Sequence, residues 1–235
     1  MSAPRPRPLG RPRTDRRPIE GDARSEVITM ASRLFAEKGF GATTMREIAS
    51  GAGLQQSSIY YYFSSKEEIL KEIVGEVNRL SVDRLHRINH DGGTAALRLF
   101  RTIRYDATML CGLPYDVNEI LRLAALQEER FANYWKERQL LNDEVEVLIV
   151  DGIATGELRA VDARLMALTV LSNDEAVQNW YRPLGEHRLV GDYEPAAIGD
   201  FLATFALEAL LASRRQLAAI RRRADQLDAV LDATS

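Results

Sequence analysis

Cysteine is nearly missing from this chain of 235 residues: Cys111 stands alone. No internal disulfide can form, and no thiolate cluster can hold a metal. Long apolar runs are missing too. The best, "FLATFALEALLA" at 201–212, is short and carries Glu208, whereas a bilayer needs ~20 apolar residues. The opening "MSAPRPRPLGRPRTDRRP" has no apolar core of a secretory signal, although Arg16-Arg17 superficially resembles a twin-arginine signal. A cytoplasmic location is the resulting expectation. Glycine-rich phosphate loops, nucleophile elbows and carboxylate pairs at an interpretable spacing are absent as well, so neither catalysis nor a cofactor is expected. Histidine is scarce. His86 and His90 are four apart, with Asp83 one turn earlier and Asp91 after, and one helix face could hold a metal there. No H-E-x-x-H motif accompanies them, so a helical metal-binding enzyme is kept only as an alternative.

What is present is unevenly charged. Residues 1–66 hold 11 Lys+Arg and 6 Asp+Glu, a balance of +5, although the whole chain is at −3. The remainder is therefore at −8. A basic head on an acidic body directs only the head toward a polyanion.

Residues 1–21 read as a disordered Arg/Pro-rich arm. Within it Gly10-Arg11-Pro12-Arg13 matches the core of an AT-hook, which would lay Arg11 and Arg13 in a narrow minor groove. From Asp22 the pattern is helical, with Val27, Met30, Ala31, Leu34 and Phe35 on one stripe and Lys38-Gly39 as a stop. Thr44 and Glu47 have the spacing of a capping box that opens a second, short helix. Gly51-Ala52-Gly53 ends it, and a third short helix is expected through Phe63. Ser65 and Glu68 suggest another capping box, opening a long amphipathic helix over 66–89. Two short helices about a glycine turn, flanked by longer ones, make a helix-turn-helix. The head is accordingly 22–66 and the body 67–235.

In the body no alternating strand pattern occurs. Helices are expected at about 95–110, 115–126, 128–155, 162–181 and 195–231, so the whole chain reads as all-α.

The stretch "LFAEKGFGATTMREIASGAGLQQSSIYYYFSSKEEIL" resembles the DNA-binding signature of the TetR family of bacterial transcriptional regulators over about residues 24–72. The resemblance implies a three-helix helix-turn-helix domain on a helical ligand-binding and dimerisation bundle. A recognition helix enters the major groove by its N-terminal residues, here Gln55, Gln56, Ser57 and Ser58. Glutamine can bond adenine N6 and N7 together. The resemblance adds Tyr60 as a base contact and Arg46 as a fork for guanine. It also sets Thr44, Tyr60, Tyr61, Tyr62 and Lys66 at or near the DNA backbone. Ile59 and Phe63, four apart, give the core face of that element.

Two heads on a two-fold DNA site require a homodimer. Leu165, Leu168, Leu171, Phe201, Phe205 and Leu210 are its candidate interface, on the two helices that the family pairs. Tyr105, Met109, Cys111, Leu113, Phe131, Tyr134, Trp135 and Trp180 are candidate liners of an effector pocket. The segment "NWYRPLG" at 179–185 resembles actinobacterial members that respond to acyl-CoA thioesters. Such an effector would need cations for its phosphates, and Arg122, Arg138 and Arg182 are the candidates. The expectation is a ligand-responsive repressor released from a palindromic operator by its effector. A DNA-binding protein with no ligand is the other alternative.

Overall fold

The computed structural model describes residues 23–113, 128–181 and 193–233, and the elements among them are helices. The expected helix at 115–126 falls outside the described residues, as do Arg11, Arg13, Arg122 and Arg182.

The head is built from α1 (Ala23–Lys38), α2 (Met45–Gly51) and α3 (Gln56–Ile59). Val27, Ala31 and Phe35 form the buried stripe of α1, which ends at Gly39 with φ 81°. That left-handed value suits a glycine and stops the helix. Thr44 caps α2 as expected: its hydroxyl accepts from the Glu47 amide, and the Glu47 carboxylate accepts from the Thr44 amide at 2.9 Å. Gly53, at φ 70°, makes the turn into α3.

Two local expectations are corrected. The third helix ends at Ile59 rather than Phe63, because the chain tightens there into i→i+3 bonds, Tyr61 N to Ser58 O and Tyr62 N to Ile59 O. Ile59 and Phe63 are nonetheless both buried. At the start of α4 (Lys66–Asp91) Ser65 does cap the Glu68 amide, but the Glu68 carboxylate accepts from the amide and hydroxyl of Ser64, not from Ser65. The capping box is therefore not reciprocal.

The body packs around α5 (Ala95–Gly112), capped by Thr94 and buried along most of its length. Around it lie α4, α6 (Ala132–Ala154, after a 3-10 turn at Glu128–Phe131), α7 (Ala163–Ala176), α8 (Pro195–Leu210) and α9 (Leu217–Ala233). Helices α5 and α8 approach closely at Gly199. A Cβ there would lie 2.5 Å from the Arg104 carbonyl and 2.1 Å from the Thr108 hydroxyl. Only glycine lets the two backbones meet so closely.

The stretch expected as one helix over 195–231 is two. Leu211 pairs with Leu158 in an isolated antiparallel bridge, Arg159 N donates to Leu210 O, and Ala212 N donates to Glu157 O. Those bonds draw the chain out of the helix before α9 begins. Similarly, the helix expected over 162–181 stops at Ala176, and a 3-10 turn returns both Trp180 N and Tyr181 N to Val177 O.

The last helix, α9, is held by charge. Arg101, fully buried, donates to Asp91 at 2.8 Å and Asp228 at 2.6 Å, and Arg104 reaches Asp225 and Asp228. Arg84 of α4 meets Asp232 at 2.9 Å and stacks 4.7 Å over Tyr105. Three arginines on α4 and α5 thus grip the aspartates of one helix face.

Candidate nucleic-acid interface and effector chamber

The outer side of the head carries Thr44, Arg46, Gln55, Gln56 and Ser57, all exposed. Tyr60 is 50% exposed and Tyr61 is 87% exposed, while Tyr62 is half-buried and meets Tyr61 edge-on at 5.2 Å. Ser58 is half-buried. Tyrosines exposed to that degree are not held in the core, and their hydroxyls can reach a phosphate. The inner side is apolar: Ile48, Ala49, Ile59 and Phe63 sit against Val27, Ala31 and Phe35 of α1 and Ile69, Leu70 and Ile73 of α4.

Lys66 is placed differently from the expectation of a backbone-contacting cation. Its ammonium donates to the carbonyls of Phe40 at 2.7 Å, Gly41 at 3.2 Å and Thr43 at 3.0 Å, and lies 4.5 Å from the Phe40 ring centroid. All three protons are engaged, so Lys66 fastens the loop between α1 and α2 onto α4. Lys38 reinforces the same corner through Glu47 at 2.7 Å, and the Glu47 carboxyl is held down to about 2 by Lys38 first and then Thr44. Arg24 completes the seating. Its guanidinium stacks 4.8 Å over Phe63 and pairs with Glu72 of α4.

The candidate pocket residues divide. Phe131, Tyr134 and Cys111 are buried; Met109, Leu113, Trp135 and Trp180 are partly so. Burial pushes the Cys111 thiol up to about 11, which leaves it an inert packing group. Tyr105 is turned toward Arg84 and the α9 clamp. Arg138 is committed: its guanidinium forks onto Glu175 of α7, with one arm at 2.8 Å. A cleft of about 510 Å³ opens between α4 and the start of α6, lined by Lys71, Glu72, Gly75, Phe131, Tyr134 and Glu137 among others.

Inside the body, sequence reasoning missed a set of buried polar side chains. Asn78 and Ser81 of α4, Asp106 of α5, Asn142 of α6 and Asp174 of α7 are all below 7% exposed. A signal for two of them was present. Asp106 stands on the stripe Ile103, Ala107, Leu110, and Asp174 continues Ala167, Val170, Leu171. A carboxylate at a core register is out of place unless something answers it.

The candidate interface residues also separate. Leu165, Leu168, Phe201 and Phe205 are 62, 40, 65 and 58% exposed. Leu171 and Leu210 are buried within the protomer's own core, which the sequence pattern had not distinguished. His86 and His90 are both exposed on α4, Asp91 is bound by Arg101, and no three metal-ligating side chains converge among the described residues. Likewise, no helix among the described residues is long and apolar enough to cross a membrane.

A helix-turn-helix head seated on an all-helical body is the architecture of a class of DNA-binding regulators. The model of the bacterial regulatory proteins of the tetR family matches residues 27–73, and that of the tetracyclin repressor-like C-terminal domain matches 118–210. The transcriptional repressor KstR2 of Rhodococcus jostii is 31% identical over 171 residues, covering 69% of this chain and 81% of that protein. KstR2 of Mycobacterium tuberculosis is 47% identical, but over 51 residues that cover 22% of this chain and 26% of that protein. AibR, solved in complex with isovaleryl coenzyme A and operator DNA, superposes with a TM-score of 0.65 at 22% identity, covering 78% of this chain and 97% of that one. The chain belongs to the TetR family.

Proposed function

We propose that this protein is a cytoplasmic transcriptional repressor, without enzymatic activity, that binds a palindromic operator as a homodimer and releases it when a small effector enters the body. The observation that carries this reading is the head's two-sidedness. Arg46, Gln55, Gln56, Ser57, Tyr60 and Tyr61 face solvent together, on elements whose opposite side is fastened to α4. The glutamines and Arg46 supply base-edge contacts, and the tyrosines position the backbone. On this reading the chain divides into a head over 22–66 and a body over 67–235, with α4 running from the boundary into the body.

Dimerisation uses Leu165 and Leu168 of α7 with Phe201 and Phe205 of α8, large apolar side chains left in water by the protomer. The body selects between two arrangements of the heads, and an effector shifts them by its differential affinity for the two. A coenzyme A thioester is the effector class supported by the AibR complex and by "NWYRPLG". Arg138 is not its phosphate anchor, since Glu175 already holds the guanidinium.

The test is binding of the DNA upstream of the protein's own gene against a scrambled duplex. A preference of about 10³ or more, a steep salt slope, and erosion of the preference in Arg46→Ala are expected. Equal binding of both duplexes in a genome-wide selection as well would refute the reading.

A further inference from the structure

Four helices, α4 to α7, bring polar atoms together in the interior, and their hydrogen bonds do not close. The Ser81 hydroxyl donates to Asp106 at 2.6 Å, and the Asn142 amide nitrogen donates to the Arg138 carbonyl at 2.8 Å. Asn142 Oδ1 has no partner. Neither do Oδ1 and Oδ2 of Asp174, which is 1% exposed. The Tyr134 hydroxyl is buried too, and its polar neighbour is the Arg138 guanidinium. Carboxyl groups outnumber cations in this group: Asp106, Asp174 and Glu175 stand with Arg138, and Arg138 gives its fork to Glu175.

We propose that this buried constellation is the specificity element of the effector site, and that it takes a ligand whose innermost end carries hydrogen-bond donors, O–H or N–H, rather than a bare alkyl or carboxylate end. The inference rests on the reading of the body as an effector receptor and narrows the chemistry of that effector. The unanswered atoms decide the class. All three are carbonyl or carboxyl oxygens: Asn142 Oδ1 accepts, and the Asp174 carboxyl, held toward its neutral form by burial, accepts through one oxygen and carries its proton on the other. A buried polar atom without a partner is costly, and native interiors rarely keep several together. An alkyl end would leave all three unanswered, and a carboxylate would bring no donor and would set an anion beside Asp106. Burial already pushes the Asp106 carboxyl up to about 6 and Asp174 well above the carboxylate range, each raised further by a carboxyl neighbour. A ligand O–H or N–H supplies the donor that Asn142 Oδ1 and the Asp174 carbonyl oxygen lack.

The experiment uses the full chain and three four-carbon probes at millimolar concentration: butan-1-ol, butylamine and butyrate. Binding is followed by ligand-observed NMR to wild type, Asp174→Leu and Asp174→Asn. The alcohol or the amine should bind at least tenfold more tightly than butyrate. Asp174→Leu should remove the difference. Asp174→Asn should keep the alcohol and lose the amine if the source is a cation, and keep both if a neutral donor suffices. Should Asp174→Leu fail to fold, Asp174→Asn and Asp106→Asn carry the comparison. Equal binding of butyrate and the donors, or no binding of any probe by the folded wild type, would overturn the proposal and leave the group a hydrated core. The repressor reading fails separately. A donor preference that depends on Asp174, in a protein that never prefers operator over scrambled DNA, sinks that reading and leaves the site standing. An effector that releases operator while ignoring Asp174 does the reverse.

Discussion

Replacing Lys66 by methionine keeps the side-chain stem and removes the ammonium. In the TetR family resemblance this lysine is a DNA-backbone contact; in the fold it is a loop fastener with three carbonyl acceptors. The two roles predict opposite results. Of the three carbonyls, that of Thr43 matters most, because Thr43 is 1% exposed and water cannot readily replace the lost donor. A charge-assisted bond to such a group contributes about 1.5–3 kcal/mol. Phe40 and Gly41 are more accessible, and the Phe40 carbonyl keeps a long bond from Thr43 N at 3.4 Å. Their share is thus small, and the total is about 2–3 kcal/mol. For a chain of this size that lowers Tm by roughly 4–12 °C. Operator affinity should fall as the α1–α2 corner loosens, yet the slope of log K against log salt should not change. Loss of a true phosphate contact would instead reduce that slope by about 0.9 while sparing Tm. Thermal unfolding and a salt series on the same Lys66→Met protein decide between them. An unchanged Tm with a reduced slope would refute the fastening argument.

Three further perturbations have worked signs. Asp106 has its carboxyl raised from 3.8 to about 6 by burial, so the native state holds a proton that the unfolded chain releases; stability is greatest below about pH 4 and declines by about 3 kcal/mol as pH rises past 6. Asp106→Asn, which can still accept from Ser81, should flatten that decline in urea unfolding across pH 4–8, and parallel curves for the two proteins would contradict it. Asp228→Ala takes a partner from the fully buried Arg101 and from Arg104, and should cost about 3 kcal/mol, with hydrogen exchange of α9 rising first. Gly199→Ala sets a Cβ 2.5 Å from the Arg104 carbonyl, a backbone atom that cannot swing aside; a loss of about 2 kcal/mol is expected, read as a Tm lower by roughly 4–8 °C.

Much of the head was legible because its signals are local. The Thr44 cap, the Gly53 turn and the Ile59–Phe63 spacing each involve neighbours in sequence, and each is found in the fold. The role of Lys66 was not legible, since its acceptors lie 23 to 26 residues away. The break between α8 and α9 escaped for the same reason. Leu210 to Ser213 has no proline or glycine, and the bonds that unwind it come from Glu157 and Arg159. In the interface set, Leu165 and Leu171 read alike in a helical stripe. Only tertiary packing sends one to water and the other to the core.

The buried charges of the body fall into two kinds, and the difference argues for their purposes. Arg101 and Asp106 are five residues apart on α5, and both are buried. Arg101 is answered by Asp91 and Asp228 and belongs to a network that joins α9 to α4 and α5. That network serves stability through its ion pairs, although Arg84 Nε and Arg101 Nη1 are left without partners. Asp106 is answered once, by Ser81, and its neighbour Asp174 not at all. A buried carboxyl with no partner costs a fold stability, so its retention asks for a binding role. The two kinds meet on α4, where Ser81 faces the open group and Arg84, one turn on, is held by the α9 aspartates. A ligand that engages Asp106 therefore acts on a helix fixed at one end by the clamp and carrying the head at the other.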